Sequence, residues 1–428
     1  MPAIVKLGKK AKAIAKTALA GKEKHYVSYV RRLERVKTDE RVCAMTFDDG
    51  PMADPAAPDD GSGRGMTEIL LDVMKKYGAH GTFDVVGFTG DNYPDEAGKV
   101  GTPLWGGTRF DHYPDFGRDT YGGALHQMEL VKRMLREGHS LSNHGYRHII
   151  FGKKPFVYGK RSSLGDIDKV LADQKALHDL ILKETGCTVT MGRPPHYVDR
   201  IDKNLTSYDA YALMDYQYMA ASYDGGGWLP SGESDEKKAT QAEIDAMISV
   251  IRKKLDADPD FFRGQIIFQK DGYNMAKRTP VAYALEEQLR LLTEAGYRVV
   301  SVEELLEISP FADVGSDCPL FAKLKDLAKD HAVAYDDNTL RLDAVMTWGE
   351  LAMLLAPKDV VTKERIETIR RTGKQLTPYR AALAYCEKAG LIPAGSREDG
   401  AVTAVPDGFF DPLSGFRRYD VLAAYRKQ

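Results

Sequence analysis

The sequence predicts an α/β fold, either a parallel sheet or an α/β barrel, followed by a smaller helical domain. Short apolar runs alternate with segments of helical periodicity from Arg41 to about residue 308, the pattern of repeated strand–helix units. Near Ser309-Pro310 the alternation stops, and the remaining residues hold only short helical patterns and turns. The 428 residues suit two or three domains. The boundaries read as a basic tail or helix over 1–37, an α/β domain over 38–308 and a helical domain over 309–428.

The first 37 residues carry eleven Lys and Arg against Glu23 and Glu34. Lysines interrupt Ile4, Val5, Leu7, Ile14 and Leu19, so the continuous apolar core of a secretory signal is not visible. The segment reads as a basic helix on an anionic surface or as a solvated tail. A strand over 42–47 comes next, ended by Asp48-Asp49-Gly50-Pro51. Ile69, Leu70, Val73 and Met74 give residues 66–77 helical periodicity, and 81–87 is the next strand. Helices near 127–137 and 166–184 precede a strand at 265–268, a helix at 281–295 and a strand at 298–301. Two Gly/Asp/Pro-rich stretches, 52–65 and 88–123, interrupt this order and read as surface insertions. The second carries Trp105, Phe110, His112, Tyr113 and Phe116, a candidate sugar-stacking surface. The C-terminal domain holds two related units of helix, turn and helix, 324–355 and 379–425.

Composition excludes several classes. The chain is 43% hydrophobic and 29% charged, ordinary for a folded globular protein. A formal net charge of −2 sets up no global field for nucleic acid or an anionic membrane. No apolar run approaches the ~20 residues of a membrane helix, so neither a nucleic-acid partner nor a transmembrane segment is expected. Cys43, Cys187, Cys318 and Cys386 are scattered with no CxxC pair, which fits neither a zinc ribbon nor a disulfide framework.

Three signals carry chemistry. Thr46-Phe47-Asp48-Asp49-Gly50-Pro51 places two adjacent carboxylates where a strand ends. Adjacent side chains of an extended chain point oppositely, so these acids share a site only if the turn re-aims them. In Asn143-His144-Gly145-Tyr146-Arg147-His148 the histidines stand at i and i+4, which is one face of a helix and a spacing used where two imidazoles bind one metal. Five of the ten histidines fall between residues 111 and 148. With one carboxylate the pair makes a two-His, one-carboxylate set that leaves coordination positions open, as in hydrolytic zinc sites or non-haem iron oxygenases. Paired acids suit hydrolysis better. In Arg193-Pro194-Pro195-His196-Tyr197 the prolines fix a backbone that can aim an N–H at a reacting oxygen, and Arg193 can hold a carboxylate.

In this order and spacing the three signals resemble the polysaccharide deacetylase family with the NodB-homology domain. The resemblance extends over about residues 40–308. Tyr77-Gly78-Ala79-His80-Gly81-Thr82-Phe83-Asp84-Val85-Val86-Gly87 looks like that family's second strand region. Asp224-Gly225-Gly226-Gly227-Trp228 looks like its Asp…Trp motif, with Gly227 where a second Asp is common. Ala295-Gly296-Tyr297-Arg298-Val299-Val300-Ser301-Val302-Glu303-Glu304-Leu305 looks like its closing element.

The resemblance implies a distorted (β/α) barrel and metal-dependent removal of acetyl groups from N- or O-acetylated glycans, with an N-acetyl amide favoured over an O-acetyl ester. It implies Asp49, His144 and His148 as ligands of Zn²⁺ or another divalent transition metal. Asp48 is then the general base, Arg193 orients Asp48, and Asp224 pairs with Arg193. The backbone N–H of His196 stabilises the oxyanion, and Tyr197 and Trp228 line the pocket for the acetyl methyl group. The last motif departs from the family: Ile266-Ile267-Phe268-Gln269-Lys270-Asp271 puts Lys270 where a histidine protonates the leaving group. An unperturbed lysine, pKa about 10.4, donates its proton reluctantly, and burial beside cations lowers that value. The alternative is a metal-containing carbohydrate-binding protein that has lost turnover, and Lys270 is the residue that separates the two.

Phe311-Ala312-Asp313-Val314 resembles the opening of an S-layer homology repeat. Phe410-Asp411-Pro412 and Arg418-Tyr419-Asp420 resemble its later elements, and Trp348 stands where the first unit's arginine is expected. This resemblance implies a cell-wall polymer as partner and a location at the cell surface. Without wall binding, and with no export signal visible, the expected location is cytoplasmic.

Overall fold

The computed structural model describes residues 25–55, 60–88, 121–152, 163–274, 276 and 278–427. The α/β part is a nine-stranded sheet whose paired strands all run parallel. From edge to edge the order is β1 (Arg32–Leu33), β8 (Gln217–Met219), β7 (Met191–Gly192), β4 (Ser140–Asn143), β3 (Thr82–Val85), β2 (Val42–Asp48), β10 (Ile266–Lys270) and β9 (Tyr223–Asp224). Strand β11 (Arg298–Val300) lies beside the first half of β2. A separate pair joins β5 (Ile150–Phe151) to β6 (Ser163–Leu164). The sheet curls back on itself: just past β1, Glu34 O accepts the Ile266 N–H, and Arg35 bridges Gln265. The result is the expected distorted (β/α) barrel, incompletely closed, with a helical domain after it.

Strand β2 shows how the sequence builds two faces. Cys43, Met45 and Phe47 pack outward into the core that includes Leu70 and Met74 of the helix Met66–Lys76 and Leu285 and Leu289 of the helix Pro280–Glu294. Val42 and Ala44 pack inward with Met191, Met219, Ile266 and Val300. The period of two along a strand carries Thr46 and Asp48 to that inner face. By the same parity Asp84 of β3 and Lys270 of β10 are inward, while Phe83, Val85 and Ile267 join the outer core.

Helix ends obey their local chemistry. Asp166 accepts the Asp168 N–H to start Ile167–Thr185, and Gly186 ends it at φ +75°. Ser301 and Glu304 form a reciprocal cap on Val302–Ile308. The 22-residue helix Glu236–Ala257 was not expected from the sequence. Its buried stripe is Ala239, Glu243, Met247 and Ile251 at four-residue spacing, and one of those four is an acid, which weakens the apolar pattern.

Residues 25–37, expected within a basic tail, are instead built into the fold. Val27, Val30, Leu33 and Val36 are buried, β1 extends the sheet beside β8, and Val27 bridges Tyr335 of the helical domain. The count of basic residues concealed this apolar stripe. Residues 1–24 lie outside the described residues, as do 89–120 with Trp105, Phe110, His112, Tyr113 and Phe116.

The C-terminal domain packs Phe321–Asp330, Trp348–Leu355, Pro378–Lys388 and Arg418–Ala424 around Leu324, Leu351, Ala382 and Val421. Its remaining helix, Lys358–Thr372, reaches the barrel, where Ile366 and Ile369 share a core with Ile149, Phe151, Leu164 and Ile167. Arg365 and Arg370 there pair with Asp209 and Asp168. Among the described residues no helix is long and apolar enough to cross a membrane.

Candidate metal and catalytic site

Parallel strands end on one rim, so residues distant in sequence converge there. Asp48 closes β2, His144 comes directly after β4, Arg193 directly after β7, and Lys270 closes β10. All four are buried, together with Asp49 and His148. Asp49 takes φ +81°, which aims its carboxylate into the site that Asp48 also faces. Asp49 Oδ1 lies 3.2 Å from His144 Nε2 and 3.2 Å from His148 Nε2. One ligand atom from each of these three residues lies within 4.8 Å of the others. Asp48 Oδ2 is 3.9 Å from His144 Nε2. Gly50 has no side chain because the Asp271 carboxylate occupies the space a Cβ would take.

The two histidines are not on a helix, contrary to what their spacing suggested. Gly145 at φ +90° and His148 at φ +51° turn the chain after β4. Side chains take the backbone donors that a helix would use: Gly145 N–H donates to Asn143 Oδ1, and Tyr146 N–H donates to Asp173 Oδ2, each at 2.9 Å. Among the described residues, four of the seven non-glycine residues with positive φ are Asp49, His148, His196 and Tyr197. Such conformations cost on the order of 1–3 kcal/mol each and persist where the surroundings over-determine them, commonly at functional sites.

Arg193 is wholly buried. It pairs with Asp48 and donates to Thr46 Oγ1 at 3.1 Å, Met219 O at 3.1 Å and Ala220 O at 3.2 Å. The expected Asp224–Arg193 pair is absent. Asp224 is exposed and accepts the Gly226 N–H and the Trp228 indole N–H, each at 2.8 Å. Arg193 instead directs four of its five N–H groups to Asp48, Thr46 and the Met219 and Ala220 carbonyls. The Tyr197 ring lies over the guanidinium, 5.2 Å from its central carbon, and Phe268 flanks it at 5.8 Å. The His196 ring lies 4.9 Å from that of His148.

Lys270 contacts the Asp49 carboxylate through its ammonium. Burial lowers its pKa to about 8, opposed by Asp48 and Asp271. Burial pushes the Asp48 carboxyl up, with Arg193 and His144 pulling the other way. Burial opposes charge on His144, but Asp84 and Asp48 outweigh it and raise the imidazole. Asp271 is pushed up to about 7 by burial, against the hydrogen bond from Thr67.

Two acids not singled out in the sequence belong to the site. Asp84 lies 2.7 Å from His144 Nδ1, and Asp173 holds Tyr146 and Arg147. An acid at an inward position of an apolar strand was the available signal for Asp84. Asp173 sits on a helix, where nothing local sets it apart. Four buried carboxylates (Asp48, Asp49, Asp84 and Asp271) face two buried cations, Arg193 and Lys270. Buried charge has to be balanced. Excess negative charge beside two imidazole nitrogens fits a divalent cation, held by Asp49, His144 and His148.

Fold and site together define an α/β protein of the curled parallel-barrel type with a buried carboxylate–imidazole cluster on its carboxyl rim. Residues 35–219 match the family model described as Polysaccharide deacetylase. A peptidoglycan-N-acetylmuramic acid deacetylase, PdaC of Bacillus subtilis, is 26% identical over 287 residues, covering 67% of this chain and 43% of that protein. The chain thus aligns with less than half the length of that relative. A peptidoglycan-N-acetylglucosamine deacetylase of Bacillus cereus is 24% identical over 273 residues, covering 63% of this chain and 91% of that protein. The solved chitin deacetylase of Colletotrichum lindemuthianum aligns at 17% identity with a TM-score of 0.42, covering 68% of this chain and 94% of that one.

Proposed function

We propose that this chain is a metal-dependent hydrolase that removes acetyl groups from an acetylated carbohydrate by cleaving an N-acetyl amide. The observation that carries the reading is the convergence of Asp49, His144 and His148, with Asp48 held alongside by Arg193. The activities named for the two bacterial relatives favour N-acetylated amino sugars as substrate class.

Zn²⁺ suits two imidazoles and one carboxylate; bound there, it supplies Lewis acidity and brings the pKa of a bound water to about 7. Asp48 takes the proton of the attacking water. Burial raises its pKa, which makes it a stronger base than an exposed aspartate, and Arg193 keeps it aimed. The backbone N–H of His196 donates to the carbonyl oxygen as it gains charge. When the C–N bond breaks, Lys270 gives its proton to the departing amine. At a pKa of about 8 it is protonated at neutral pH yet a better donor than an exposed lysine. Tyr197, whose ring lies over Arg193, and Trp228 line the pocket for the acetyl methyl group.

The contact of Lys270 with Asp49 favours a second reading, a metal-containing carbohydrate-binding protein with weak or no turnover, since a donor turned to Asp49 is not turned to a leaving group. Acetate release from a panel of acetylated glycans, with and without added Zn²⁺, tests both. Zinc-dependent release supports the hydrolase. No release from any glycan that the zinc-loaded protein binds supports the second reading. Wall-polymer binding by the helical domain, and with it a cell-surface location, draws no support from Arg418, which is buried and donates to Leu340 O and Val333 O.

A further inference from the structure

We propose that Asp84 is a positioning residue that fixes His144 for cation binding and completes a carboxylate–imidazole–cation triad. This rests on the reading of the site as metal-dependent. Asp84 is wholly buried on the inner face of β3, in register with Asp48 of β2 and Ser142 of β4. Its Oδ2 lies 2.7 Å from His144 Nδ1. Among the described residues no hydrogen bond reaches either carboxylate oxygen, so the ion-pair contact with His144 is its link to the site. A buried carboxylate with so little support is a net cost to the fold, so its use lies in the ring it faces.

The geometry says what that use is. His144 Nδ1 also lies 2.9 Å from Arg193 O. Both neighbours of Nδ1 are acceptors, so Nδ1 carries the hydrogen. With Nδ1 so occupied, Nε2, 3.2 Å from Asp49 Oδ1, is the nitrogen left to give a lone pair to a cation. The carbonyl alone would set this tautomer; the carboxylate adds charge, which makes Nε2 a stronger donor to a cation. The backbone of β3 reinforces the placement, because Asp84 O accepts the Asp49 N–H at 3.3 Å and Val85 O accepts the His144 N–H at 2.9 Å. One short strand thus holds two of the three cation-binding residues.

The test measures Zn²⁺ affinity of the full chain by competition with a chromophoric chelator, together with the thermal midpoint of the metal-free protein. Asp84→Asn keeps the shape and removes the charge, and should weaken Zn²⁺ binding roughly 10–100-fold. Asp84→Ser serves as a second variant should the first fail to fold. A purely structural role would move the thermal midpoint and leave the affinity of the folded protein unchanged. In the zinc-loaded wild type, ¹⁵N-histidine spectra should place a hydrogen on His144 Nδ1, and finding Nδ1 without one overturns the proposal without any variant. Affinity of either folded variant within twofold of wild type overturns this proposal alone. A wild type that binds no Zn²⁺ overturns it together with the metal-dependent reading.

Discussion

Four carboxylates and two cations share the rim of the barrel out of reach of solvent, and each is kept there by a particular neighbour. Asp48 has Arg193, Asp49 has Lys270 and the two imidazoles, and Asp271 has the Thr67 hydroxyl at 2.7 Å. Asp48→Asn should therefore retain Zn²⁺ while acetate release falls about 10²–10⁴-fold, the usual cost of losing a general base; loss of Zn²⁺ instead would make Asp48 a ligand. Lys270→Ala should cut the turnover number and leave glycan binding nearly intact, read as kcat against the dissociation constant. A different kind of charge control operates at His139, whose Nδ1 accepts the Gly81 N–H at 2.9 Å and whose ring edge meets Phe83. Burial lowers its pKa to about 4, against about 6.5 in an unfolded chain. The folded state thus favours the neutral ring, so this stabilisation is complete above about pH 6.5 and is lost as pH falls toward 4. Urea unfolding should show that loss, up to roughly 3 kcal/mol, and the slope should flatten in His139→Gln.

At the level of elements, what the sequence made legible was whatever carried its own pattern. The strand that closes on Asp48, the helix Met66–Lys76 and the helix Pro280–Glu294 all lie within a few residues of their expected bounds. Strands of two or three residues such as β1, β7 and β9 are too short for any alternation to register. The closing helix Val302–Ile308 depends on its cap, with Ser301 Oγ accepting the Glu304 N–H and Glu304 reaching back to the Ser301 N–H. Ser301→Ala should cost about 1 kcal/mol in chemical denaturation, and an unchanged midpoint would show that packing alone holds this helix. The loop that bears the histidines obeys another rule: its conformation comes from Asn143 and Asp173 side chains and not from helical hydrogen bonding.

For the whole molecule, the helical domain and the barrel are parts of one packed structure. Ile366 and Ile369 sit in a core with Ile149 and Phe151, immediately after His148, and residues 25–37 thread between the two parts. Ile369→Ala should destabilise by about 2–5 kcal/mol and shift barrel and helical domain together in a single unfolding transition; two separate transitions would show independent units. The linear order of residues was enough to establish the alternating architecture, the paired acids, the two histidines and Arg193, because strand periodicity and motif spacing are local properties. It could not place Asp84 beside His144, detach Asp224 from Arg193 or set Lys270 against Asp49. Those relations join strands up to some two hundred residues apart. They were decided when parallel pairing brought the strand ends to one rim and burial left each charge only the partners within reach.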